Sequence, residues 1–186
     1  MADAVVGQVR RLVQLDKLIN AFGEEAFLTD HFHRQQAGRG VLFAAWIKGR
    51  AAGVVYLRLE KAEEKKIDRH LKGVPQLTHL EVLGKYRNRG VGRTLIKAVE
   101  QHAAELGHER ITLAVRTDND GATRLYKHLG YEDWGHHTVT CRAYPIPAKG
   151  WFPKRERETC YVLVKNITSV MPAPAPLAEP AVAAFA

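Results

Sequence analysis

The alternation of apolar and polar positions divides the chain into elements before any residue is given a role. Two runs rich in β-branched and aromatic residues, Val41 to Ile47 and Ala52 to Leu59, flank the polar turn Lys48-Gly49-Arg50 and predict a hairpin. Gln76 to Leu83 predicts a further strand, and the short apolar-rich run Ile111 to Val115 predicts a central strand buried on both faces. Between them Val91, Leu95, Val99 and Ala103 recur every four residues, with Ile96 and Leu106 widening the stripe. That period predicts an amphipathic helix over Val91 to Leu106, ended by Gly107.

The flanks are read in the same way. Gln8 to Val13 is expected as a first strand, with Asp16 as N-cap of a short helix through Phe22. Glu24 to Gln36 is expected as a helix: Phe27, Leu28 and Phe32 are its apolar positions, Glu24 and Glu25 suit its first turn, and Gly38 stops it. The charged run Glu60 to Arg69 is expected to be an exposed connector, helical or not, closed by Gly73 and Pro75. Gly121 to Leu129 predicts a second short helix closed by Gly130. Tyr131 to Thr140 and Thr159 to Lys165 predict two last strands, separated by a loop from Tyr144 to Glu158. The Pro- and Ala-biased stretch beyond Ser169 predicts an extended tail, so one domain is expected over 1–168 and a tail over 169–186.

Composition narrows the class. With 186 residues, 46% hydrophobic and 26% charged, the chain suits one ordinary globular domain. No apolar run approaches the roughly 20 residues needed to span a bilayer, and Met1 to Leu12 lacks the regions of a signal peptide. Cys141 and Cys160 are too few for a disulfide framework and lack zinc-site spacing, so a cytoplasmic protein with free thiols and no metal is expected. A net charge of +8 favours anionic partners, among which nucleic acid, an anionic membrane and a polyphosphate cofactor all qualify.

The candidate chemistry lies where the strand from Gln76 runs into the helix from Val91. The turn between them reads Arg87-Asn88-Arg89-Gly90-Val91-Gly92-Arg93. N–H groups at a helix N-terminus lack intrahelical partners and carry about half a positive charge, which suits phosphate oxygens. Gly90 and Gly92 let the backbone approach without a Cβ, and Arg87, Arg89 and Arg93 add permanent charge. Alone this turn is weak, since Gly-flanked helix starts are common. About 30 residues on stands a second pattern, Asn119-Asp-Gly-Ala-Thr-Arg-Leu125-Tyr126-Lys-His-Leu129-Gly130-Tyr131.

Together these resemble the two hallmarks of the GNAT superfamily of acetyltransferases: Arg or Gln, two residues, Gly, one residue, Gly or Ala; then Asn and Ala before a Leu-Tyr pair and a Leu-Gly-aromatic ending. The resemblance covers Gln76 to Tyr131 by motif. It implies an α/β (α+β) fold with a mixed central sheet of about six or seven strands, splayed at the cofactor site and flanked by about four helices. It implies acetyl-CoA as donor, with the backbone of Leu80, Glu81 and Val82 bonding the pantetheine arm and Asn88 to Arg93 holding the pyrophosphate. Asn119 would contact the cofactor or serve as a helix N-cap, and Tyr126 would protonate the leaving thiolate or pack in the core.

Amine activation is the open step. A primary amine of pKa about 10.4 is neutral in only about one molecule in 2,500 at pH 7, which costs about 4.6 kcal/mol unless a base or the site intervenes. Within the family that the chain resembles, the ribosomal-protein N-terminal acetyltransferases carry Glu where this chain has Ala114, and other members carry Glu or His at the positions of Gln76 and Thr78. The remaining candidates are His79, Glu81, His31, His33, His136 and His137, or a water chain. Strict alternation puts His79 and Glu81 on the face opposite Gln76 and Thr78, where they are structural.

The resulting expectation is an N-acetyltransferase acting on a primary amine of a small molecule by direct attack in a ternary complex, as a monomer or homodimer. Neither nucleic acid nor membrane is expected as a partner. Acetylation of a protein or aminoacyl-tRNA, and a non-enzymatic CoA-binding regulator, are the alternatives.

Overall fold

The computed structural model describes residues 4–142 and 157–167. Chain order is β1 (Val5–Gln8), α1 (Leu12–Phe22), α2 (Glu25–Gln36), β2 (Gly40–Ile47), β3 (Arg50–Arg58), α3 (Lys65–His70), β4 (Gln76–Val82), a 3₁₀ turn (Gly84–Tyr86), α4 (Val91–Glu105), β5 (Arg110–Arg116), α5 (Asp120–His128), β6 (Glu132–Asp133), β7 (Val139–Arg142) and β8 (Arg157–Asn166). The strands form one sheet ordered β1-β2-β3-β4-β5-β8-β6, with β7 beside β8. Every neighbouring pair is antiparallel except β4 and β5, which run parallel because α4 carries the chain back between them.

The hairpin, the two central strands and α4 stand where the apolar pattern puts them. The stripe of α4 is fully buried at Leu95, Ile96 and Val99 against β3 and β4, each side chain contributing roughly 1.5–3 kcal/mol. That face of the sheet also takes α5, through Tyr126 and Leu125. On the other face α1 and α2 cover Leu42, Ala44, Val54 and Tyr56. Further along that face a third cluster joins Ile67 and Leu71 of the α3 region to Val139, Cys141, Cys160 and Val162. Both cysteines are free and buried. Among the described residues no helix is long and apolar enough to cross a membrane.

Several expected boundaries move. The first strand is Val5–Gln8, not Gln8 to Val13, and helix α1 begins at Leu12. The Gln14 side chain accepts from the backbone N–H of Arg10 and of Arg11, both at 3.0 Å, which starts the helix before Asp16 can cap it. The expected strand Tyr131 to Thr140 splits into β6 and β7, because Asp133 Oδ1 accepts the N–H of Gly135 at 2.8 Å and turns the chain. That split raises the sheet to eight strands. The charged connector 60–69 is not wholly exposed: Ile67 on α3 is buried, and Glu63 pairs with the buried Arg58 at 2.7 Å. Most of the expected Tyr144 to Glu158 loop, through residue 156, and the tail from 169 lie outside the described residues.

Candidate functional site

Strands β4 and β5 pair only at Gln76 with Thr112 and Leu77 with Leu113, so beyond Leu77 the β5-facing edge of β4 has no ladder partner among the described residues. Leu80, Glu81 and Val82, the residues expected to bond the pantetheine arm, lie on that open stretch. On its other edge β4 is held by β3, with Gly53 opposite Val82 and Val54 opposite Glu81.

The open edge leads into a cleft of about 800 Å³ bordered by Val82, Tyr86, the whole turn Arg87 to Thr94, Gly121 and Leu125. Every residue of the expected pyrophosphate cradle, Arg87, Asn88, Arg89, Gly90, Val91, Gly92 and Arg93, borders this one cleft. Asn88 (φ 58°) and Gly90 (φ 83°) take left-handed backbone geometry, which bends the chain sharply into α4. Among the described residues no side chain caps α4, and its first turn holds no acidic residue, so its positive end has no negative partner there. A Cβ at Gly92 would meet Val82 and Leu125 at ordinary contact distance, whereas Gly90 has nothing within 4 Å. Among the three arginines, Arg87 donates through Nε to the Val82 carbonyl at 3.0 Å, which fixes the end of β4 as well as adding charge. Arg89 and Arg93 are exposed.

The second pattern is placed differently. Asn119 is the N-cap of α5, accepting the N–H of Ala122 at 3.1 Å, and does not border the cleft. Tyr126 is buried to 6% exposure among the core side chains of the α4 face, with its ring edge-on to Tyr131. Burial pushes its hydroxyl well above the ordinary phenol range, so it stays protonated and able to donate.

Strict alternation fails in β4, and this changes the amine-activation problem. The pairing with β3 shifts register between Val54 and Tyr56, and His79 takes φ 50°, so the strand carries a bulge. Leu77 faces the α4 core and so do Leu80 and Val82, an interval of three where alternation demands two. Cross-strand partners share a face: Thr78 stands opposite Tyr56 and Glu81 opposite Val54, both of which pack toward α1 and α2. Glu81 therefore lies on the same face as Thr78, not the opposite one. His79 joins it there, its ring 3.7 Å from that of Phe27 on α2.

On this face stands a polar group of three. His79 Nε2 lies 2.6 Å from Glu24 Oε2, within ion-pair range though not aligned as a hydrogen bond, and 3.7 Å from Glu81 Oε2. Glu24, just before α2, is the member that sequence reading missed, since nothing local distinguishes it from a first-turn acid. Glu81 is held above the ordinary carboxylate range, chiefly by burial and then by the charge of Glu24, against the opposing pull of His79 and Arg87. The other candidates are elsewhere. His31 is 1% exposed, donates from Nδ1 to the Phe27 carbonyl at 2.8 Å, and burial lowers its pKa to about 4. His33, His136 and His137 are exposed. Gln76 is buried, and the Thr78 hydroxyl donates to the Tyr56 carbonyl at 3.3 Å.

Residues 9–131 match the family model described as the acetyltransferase (GNAT) family. An N-alpha-acetyltransferase of Sulfurisphaera tokodaii is 29% identical over 114 residues, 58% of this chain and 64% of that protein. A mycothiol acetyltransferase of Corynebacterium aurimucosum is 32% identical over 77 residues, 40% of this chain but 25% of its own length. The chain thus matches less than two thirds of each of these relatives. The ribosomal-protein-S18-alanine N-acetyltransferase of Escherichia coli shares the fold with a TM-score of 0.63, at 18% identity over 93% of this chain and 98% of that one.

Proposed function

Because the chain belongs to the GNAT acetyltransferase family, we propose that it transfers an acetyl group from acetyl-CoA to the primary amine of a small molecule, by direct attack within a ternary complex. The observation that carries this reading is the open edge of β4 beyond Leu77, which runs into a cleft closed by an uncapped, arginine-flanked helix N-terminus. The backbone of Leu80 to Val82 supplies the edge on which a pantetheine arm pairs as an added strand. Asn88 to Arg93 then receive the pyrophosphate with main-chain N–H groups, the α4 dipole and the charges of Arg89 and Arg93. Tyr126 is assigned the proton that the sulfur gains as the carbon–sulfur bond breaks, by its place in the second motif; burial keeps its hydroxyl protonated while making it a weaker acid.

A small-molecule acceptor fits Ala114, which stands where the ribosomal-protein N-terminal acetyltransferases that the chain resembles carry Glu. The test incubates the protein with acetyl-CoA and phenethylamine, spermidine or a peptide with a free N-terminus, and follows thiol release. Turnover confined to the small amines supports the reading. Turnover confined to the peptide moves the acceptor to protein, and CoA binding with no turnover on any of the three removes the enzymatic reading.

A further inference from the structure

The bulge at His79 gives β4 a second chemical face. On its α4 side the strand offers Leu77, Leu80 and Val82 to the core. On the other side it offers Thr78, His79 and Glu81 between two separate apolar clusters, one under α1 and α2 and one against α3. This face lies across the strand from the α4 core, and Glu81 on it keeps 36% of its side chain exposed. Only Glu24, His79 and Glu81 group their carboxylate and imidazole atoms this closely among the described residues, all within 4.8 Å.

We propose that Glu81 is the base that deprotonates the acceptor amine, with His79 and Glu24 as positioning residues; the inference rests on the acetyl-transfer reading above. Glu81 suits the task because its backbone lies on the donor's edge while its carboxylate, 36% exposed, faces the acceptor side. The groups around it are fixed by packing. His79 is clamped between the Phe27 ring and Glu24 Oε2, and Phe27 stacks in turn on the buried His31 at 3.8 Å. Arg87 approaches from the turn after β4, and the facing strand brings the apolar Val54.

The step balances as follows. The ammonium R–NH₃⁺ gives one proton to the Glu81 carboxylate, which later returns it to water. The nitrogen lone pair forms the bond to the thioester carbon, and the carbon–sulfur bond breaks with its electron pair on sulfur. As the amide forms, nitrogen loses a second proton to water, sulfur gains one from Tyr126, and the tyrosinate regains one from water, so one proton is released in all. Glu24 stands against Glu81 as a like charge that keeps the carboxylate basic, so its removal weakens the base.

The experiment compares ethylamine with trifluoroethylamine, which has nearly the same shape but is already neutral at pH 7. For Glu81→Gln, kcat/KM is expected to fall about 10²-fold with ethylamine and less than about threefold with trifluoroethylamine. Glu24→Gln should move the acid limb of the wild-type pH–rate profile to lower pH. An equal loss with both amines makes Glu81 structural and overturns the proposal, as does an unchanged rate with ethylamine. A readout that needs no acceptor runs beside it: the ¹³C-labelled Glu81 carboxyl should titrate above the ordinary range in the wild type and fall back in Glu24→Gln. Ordinary titration in the wild type also overturns the proposal. Absence of turnover by the wild-type protein on every amine, with the carboxyl titrating as expected, would instead count against the acetyl-transfer reading.

Discussion

At the scale of single residues, Tyr126 and Glu81 show how position decides chemistry. A phenol buried in an apolar core ionises only at a cost, so Tyr126 is protonated at neutral pH and, as the proposed acid, weaker than a free phenol. Tyr126→Phe keeps the packing and removes only the hydroxyl. Its kcat should drop by about 10² or more while CoA affinity, measured by calorimetry, stays within about twofold. A rate equal to wild type would show that the thiolate leaves without this proton. Tyr126 could be picked out in the sequence because its motif names it, whereas Glu24 could not. Glu24 meets His79 across 55 positions of chain, and no local pattern encodes a contact at that range.

Elements were legible wherever one period held along their length. The stripe of α4 survives folding because it packs one continuous face, and β2 and β3 were legible as apolar runs because both of their faces are buried. Strand β4 departs from this rule at the site. Its apolar residues fall at 77, 80 and 82, and that broken interval is the trace of the bulge in the sequence. Read with strict alternation, the same letters send Glu81 to the wrong face, because one extra residue reverses every side chain after it. The start of α1 was missed for another reason, since its first turn is stabilised by Gln14 at N3 and not by an Asp at the cap. The β3–β4–α4 junction also makes a prediction. A Cβ at Gly53 would stand 2.8 Å from a Leu95 methyl and 3.0 Å from the Glu81 carbonyl. Gly53→Ala should therefore cost about 1–3 kcal/mol in urea unfolding and raise the KM for acetyl-CoA, because β4 or α4 must yield. Unchanged stability and KM would mean that the two elements are looser than this packing.

For the molecule as a whole, the two faces of the sheet carry separate apolar clusters, and the α2 face ties stability to pH. The buried His31 sits behind Phe27, on the same stack that steadies His79. Burial lowers its folded pKa from 6.5 to about 4, the backbone bond to Phe27 and the charge of Asp30 opposing that shift without cancelling it. The unfolded chain then takes up the proton first as pH falls. Stability from this group is complete above about pH 6.5 and is lost progressively down to about pH 4, at close to 1.4 kcal/mol per pH unit and on the order of 3 kcal/mol in total. Urea unfolding of the wild type and of His31→Gln across pH 4 to 7 isolates the effect from the carboxylates, which titrate in both. The wild type should lose more stability than the variant on acidification, and parallel curves would show that His31 reaches water in the folded state. Because His31 packs against Phe27 and Tyr56 and does not border the cradle, the same variant should bind CoA as the wild type does. A loss of CoA binding would mean that the two faces of the sheet are coupled.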